Sequence, residues 1–127
     1  MSAEDPLGRL IAAITAGDID AVREIYAPDA VIWHNIGEGA QSVDHNVRLL
    51  RWYARQVPER RYEDVRRQRT ERGFVQQHVL RGMTAAGERL EAQVCIVVET
   101  DGDRITRLDE YVDSEQIAAL TRAATPG

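Results

Sequence analysis

Leu7, Leu10, Ile11 and Ile14 recur at the three- and four-residue intervals of a helix face, and Gly17 follows where a left-handed residue would end that helix. Asp18 can cap a second helix whose buried side carries Ile19, Val22 and Tyr26, and the two short helices are expected to pair antiparallel. Pro28 and Asp29 interrupt the helical pattern before a short strand, Ala30 to Asn35, and Gly37 with Gly39 marks the loop after it. A third helix is predicted from about Val43 to Gln56. Val47, Leu50 and Ala54 form its apolar stripe, Leu49, Trp52 and Tyr53 widen it, and Pro58 stops it.

From there the period shortens to two. Strands are predicted over roughly Arg60 to Thr70, Phe74 to Met83, Arg89 to Thr100 and Arg104 to Val112, separated by Arg72-Gly73, Ala86-Gly87 and Asp101-Gly102. A final helix is expected from Asp113, with Gln116 as capping-box partner and Ile117 and Leu120 inward. Helices, an antiparallel meander and one closing helix make an α+β order in which helices cover one sheet face. Along Leu90 to Val98 both faces are partly apolar: Leu90, Ala92, Val94, Ile96 and Val98 on one, Cys95 and Val97 on the other. That predicts a homodimer through the outer sheet face.

The 127 residues fit one domain, 1–127. A hydrophobic fraction of 43% and a charged fraction of 29% belong to a soluble globular chain, and no apolar run approaches the ~20 residues that cross a bilayer. The N-terminus lacks a basic stretch followed by an apolar one, so cytoplasmic residence is expected, with no membrane partner. A net charge of −5 argues against nucleic acid as a partner, although all 16 basic residues are arginine. The run Glu59 to Arg69 mixes signs and reads as a solvated strand face. Cys95 stands alone, which rules out an intramolecular disulfide and reads as a small buried hydrophobe.

The candidate chemistry lies where ionisable groups fall among apolar neighbours. Glu110 sits between Leu108 and Val112 on one strand face, with Ile105, Arg107, Asp109 and Tyr111 on the other. A carboxyl desolvated there has a raised pKa and can exchange protons near neutral pH; a structural salt bridge is the alternative. His34 shares its face with Ile32 and Ala30, and His78 with Gln76 and Leu80, so His34, His78 and Glu110 could converge from three strands. Two histidines and a glutamate could ligate a metal, but their spacings are not those of a metal motif, so none is expected. Trp33 reads first as core or interface, and His45 as exposed. No Gly-rich phosphate loop or nucleophile elbow is present.

Ala16-Gly17-Asp18 between the first helices, Tyr26-Ala27-Pro28-Asp29-Ala30-Val31-Ile32-Trp33-His34-Asn35 after them and Glu110-Tyr111-Val112-Asp113 at the end resemble the SnoaL-like branch of the NTF2-like superfamily over nearly the whole chain. The resemblance implies a cone of curved antiparallel sheet packed against about three helices, with a short C-terminal helix, around a pocket. That superfamily includes ketosteroid isomerases, polyketide cyclases, limonene epoxide hydrolases, dehydratases and non-catalytic members. The ketosteroid isomerase base falls on His34, while its oxyanion tyrosine falls on Leu10 and its oxyanion aspartic acid near Cys95, so those donors are lost. The epoxide hydrolase set falls on Ile32, His34, Gln76, His78 and Glu110, and only the last keeps its acid. The cyclase base on the final strand matches Glu110.

Together these readings predict a cofactor-free enzyme performing isomerisation, cyclisation or hydration and dehydration on a small apolar, polyketide- or steroid-like ligand. His34 is the expected base, Glu110 its partner or the alternative base, and His78 and Gln76 orienting donors. Trp33, Trp52, Tyr53, Cys95 and Ile32 are the expected pocket wall. A non-catalytic binding or assembly domain is the competing reading.

Overall fold

Side chains at the chain's helix starts accept the backbone N–H groups that no helical carbonyl can reach. In the computed structural model, which describes residues 5–37 and 39–124, helix α1 (Pro6–Ala16) begins on Asp5, whose Oδ1 accepts from Gly8 N at 2.6 Å. The ends of the expected 1–127 domain lie outside the described residues. Gly17, at φ 73°, ends α1 in the left-handed conformation foreseen for it, and the N–H groups of Gly17 and Asp18 return to Ile14 and Ala13. Arg60 Nε donates to the Ile14 carbonyl at 2.8 Å, placing a cation on the negative end of α1. Asp18 caps α2 (Ile19–Ile25) and Ser42 caps α3 (Val43–Gln56).

Five strands follow from the polar and apolar alternation: β1 (Tyr26–His34), β2 (Glu59–Arg69), β3 (Gly73–Met83), β4 (Arg89–Asp101) and β5 (Arg104–Val112), in the order β1-β5-β4-β3-β2. The sheet is open and mixed, because β1 runs parallel to β5 while the other pairs are antiparallel. Alternation fixes which face a residue takes but carries no information on strand direction. Strand β1 also starts at Tyr26, which leaves α2 as its C-terminal cap and is 2% exposed. The closing helix α4 (Ala118–Ala124) starts later than expected. Asp113 Oδ1 accepts from Glu115 N in a preceding turn, and Gln116 Oε1 accepts from Gln93 N at 2.8 Å instead of forming a capping box.

The inner sheet face and the helices share one core. Leu7, Leu10 and Ile32 are at most 1% exposed, and each contributes on the order of 2 kcal/mol by leaving water. Two register shifts alter the simple alternation. One between Glu99 and Thr100 opposite β5 lets Ile105 join the core, fully buried, rather than share the outer face with Arg107 and Tyr111. The other lies in β2, where Asp64 takes φ 54° and two residues oppose His78 of β3. It turns Tyr62 and then Arg67 to the inner face, while Arg81 holds the shift from outside through Glu63 and Asp64, each at 3.2 Å. The outer face carries Trp33 edge-on to Tyr111, ring centres 5.3 Å apart. Among the described residues no helix is long and apolar enough to cross a membrane.

Candidate active site

One rung of the sheet crosses all five strands with an uncommon composition. His34 lies opposite Glu110, Glu110 opposite Ile96, Ile96 opposite Gln76 and Gln76 opposite Arg67. Four of these five inner-face positions are polar or charged, so each needs a partner under the helices.

At one end of the rung, His34 Nε2 stands 3.4 Å from Glu110 Oε1, with the side chains 15% and 28% exposed. Both line a chamber of about 340 Å³ between sheet and helices, whose walls are mostly apolar, among them Leu10, Leu50, Ile96 and Leu108. Burial raises the Glu110 pKa above the ordinary carboxylate value, and a charged His34 beside it pulls the other way. Three phenols, Tyr26, Tyr53 and Tyr62, line the same chamber. Burial first, and for Tyr62 also Tyr53, then the Glu110 charge, push all three upward, so they stay neutral donors. Asn35 follows His34 and binds the backbone of Val112, fixing the ends of β1 and β5 side by side.

The other end of the rung is a chain of polar side chains that ends on His78, whose Nε2 is buried without a partner. Asp5 Oδ2 pairs with Arg67 at 2.9 Å, Arg67 Nε donates to Gln76 Oε1 at 2.8 Å, and Gln76 Nε2 lies 2.9 Å from His78 Nδ1. Because the Gln76 oxygen is engaged by Arg67, its amide nitrogen donates to Nδ1, and the neutral imidazole carries its proton on Nε2. The His78 pKa is pushed down to about 4, first by burial and then by Arg67.

The sequence-predicted residues thus divide. His34, Glu110, Trp52 and Tyr53 line the chamber together. His78 does not converge on them: it lies on β3, with β4 between it and β5, about 10 Å away. Its Tyr62-facing ring and its Gln76 bond place it in the polar chain instead. Gln76 is fully buried in that chain rather than on the chamber wall. Trp33 and Cys95 occupy the outer face, Cys95 beside a larger, more open depression of about 660 Å³. Ile32 is core, its backbone bridged to Gln41. Among the described residues, no group of three or more His, Cys, Asp or Glu side chains is placed to hold a metal ion.

Besides Tyr26 and Tyr62 of the chamber wall, four residues escaped the sequence reading. Asp5 and Arg67 are distant in sequence and joined only through the β2 register shift. Gln41 and Asn46 line the chamber with side-chain oxygens that are buried and unpartnered. Asn46 did leave a signal: it precedes Leu49, Leu50 and Tyr53 by three, four and seven residues, a polar residue within the apolar face of α3.

Comparison with known proteins agrees with this architecture. Structures similar to the chain include IdmH, a proposed polyketide cyclase from Streptomyces antibioticus (TM-score 0.79, 19% identity, covering 92% of this chain and 96% of that one). An LEH-like epoxide hydrolase of M. tuberculosis follows at TM-score 0.73 and 20% identity, covering 96% and 94%. A protein with a ketosteroid isomerase-like fold from Catenulispora acidiphila, in complex with trimethylamine, gives 0.79 and 15%, covering 95% and 93%. No functionally curated protein matches significantly. At these identities the likenesses establish the fold. The family model of the SnoaL-like domain matches residues 7–108, and the chain belongs to that family.

Proposed function

We propose that the protein is a small-molecule enzyme whose His34–Glu110 pair transfers a proton to and from a largely apolar substrate held in the chamber. The supporting observation is the pair itself: an imidazole and a carboxyl 3.4 Å apart, inside an apolar enclosure that raises the carboxyl pKa toward neutrality. A proton taken by His34 is stabilised by the Glu110 carboxylate, so the two act as one base of adjustable strength. Isomerisation, cyclisation and hydration or dehydration all begin or end with such a transfer and need no cofactor. The similar structures named as a proposed polyketide cyclase and an LEH-like epoxide hydrolase are consistent with that class.

The test is proton exchange. Incubated in D2O with a panel of apolar ketones, the wild-type protein should catalyse deuterium incorporation next to the carbonyl of at least one member, and Glu110→Gln and His34→Ala should abolish it with the fold intact. Exchange that persists unchanged in both variants removes the proposal.

A non-catalytic binding domain is the second reading, favoured by the Asp5–Arg67–Gln76–His78 chain, where buried polar groups satisfy one another except at His78 Nε2, which has no hydrogen-bond partner. Carbon-13 NMR of the Glu110 carboxyl separates the two. A titration that shifts when a ketone binds supports catalysis, and one indifferent to ligand supports simple binding.

A further inference from the structure

The chamber contains polar atoms that the proton-transfer pair does not use. The Tyr53 hydroxyl and the Asn46 amide oxygen are both buried with no hydrogen-bond partner, on residues 8% and 3% exposed, and both residues line the chamber. An orphaned polar atom in a core is destabilising, a cost that a ligand supplying the missing partner relieves. The two residues lie seven apart on α3, two helical turns, which separates them by about 10 Å along one face. Leu49 and Leu50 fill the span between them. At the Asn46 end, Gln41 adds a second unpartnered amide oxygen from the loop that bridges to β1. At the Tyr53 end, the phenol lies close enough to Glu110 to feel its charge and remains a neutral donor.

We propose that α3 reads the ligand at two points: Tyr53 O–H donates to a carbonyl oxygen of the substrate, and the Asn46 amide binds a second polar group at the opposite end of a rigid apolar body. The proposal rests on the His34–Glu110 pair as the base and names the substrate class for it. A C–H bond beside the carbonyl breaks and its proton passes to the pair. Its electrons form a C=C bond as the carbonyl π pair moves to oxygen, where the Tyr53 hydrogen bond strengthens against the enolate. Return of the proton to carbon closes the cycle with no oxidant or reductant.

The test uses two planar phenols, 4-phenylphenol with one hydroxyl and 4,4′-biphenol with a hydroxyl at each end, titrated against the full chain by fluorescence. In the wild type, 4-phenylphenol should bind more tightly than biphenyl, and 4,4′-biphenol more tightly still. Tyr53→Phe should weaken both phenols about tenfold. Asn46→Leu should erase the advantage of the diol and leave 4-phenylphenol unchanged. Each variant removes an unpartnered polar atom, so Tm should hold or rise, and the wild-type comparison with biphenyl stands even if a variant fails to fold. Equal affinity for biphenyl and 4-phenylphenol, full binding by Tyr53→Phe, or a diol advantage that survives Asn46→Leu each overturns the proposal. Failure of the proton-transfer reading looks different: these affinities respond as expected, while deuterium exchange is indifferent to Glu110→Gln and His34→Ala.

Discussion

Asn35 grips the backbone of Val112 from both sides, Nδ2 donating to the carbonyl at 3.1 Å and Oδ1 accepting from the N–H at 3.0 Å. The carboxamide thereby continues the ladder one residue beyond the end of β1, immediately after His34 and two residues past Glu110. Asn35→Ala should cost about 2 kcal/mol in denaturant unfolding and reduce proton exchange, because the strand ends that hold the pair can then separate. Asn35→Asp keeps the acceptor and should fall between the two. Unchanged stability in the alanine variant would show that the clamp is not needed.

Glu110 should make stability fall as pH rises. Burial lifts its pKa in the fold above the ordinary value of 4.5, so the stability of the neutral form is fully present below that value and is lost as pH climbs through the raised one. Glu110→Gln stays neutral throughout. The Tm difference, variant minus wild type, should therefore grow between mildly acidic and neutral pH, and a constant difference would contradict burial as the dominant cause.

His78 has the opposite sign. Its pKa in the fold is about 4, against 6.5 when free, so the unfolded chain takes up a proton first as pH falls. Stability present above 6.5 should be lost progressively toward about 4, on the order of 3 kcal/mol in all. Urea unfolding at neutral and acidic pH checks this: His78→Asn should lack that component of acid sensitivity, and a decline parallel to the wild type would contradict it.

Asp5 serves α1 and Arg67 at once, and two substitutions separate the roles. Asp5→Asn keeps a capping oxygen but removes the charge, with a cost of about 2 kcal/mol for a pair whose side chains are 12% and 16% exposed. Asp5→Ala loses the cap as well and should cost about 3 kcal/mol. Equal midpoints for the two variants in chemical denaturation would mean that the cap contributes nothing.

The legible parts of this protein were those set by local periodicity. Gly17 and Asp18 announced the first two helices, and the alternation of Leu108, Glu110 and Val112 placed the carboxylate inward as found. Alternation had also set Trp33 opposite His34 and Cys95 opposite Ile96; assigning them to a pocket went against that parity, and the structure keeps the parity. The partnership of Arg67 with Gln76 was hidden because one extra residue in β2 exchanges its faces, which a period of two cannot register. The parallel pairing of β1 with β5 was equally invisible, since it joins residues 76 to 79 positions apart.

That extra residue at Asp64 divides β2 into two territories. Tyr62 before it belongs to the chamber, and Arg67 after it belongs to the buried ionic thread from Asp5 to His78. The two halves can consequently diverge on their own: selection or design could recut the cavity for a new guest through Tyr62 and its neighbours while the thread, and the framework it ties, stays as it is.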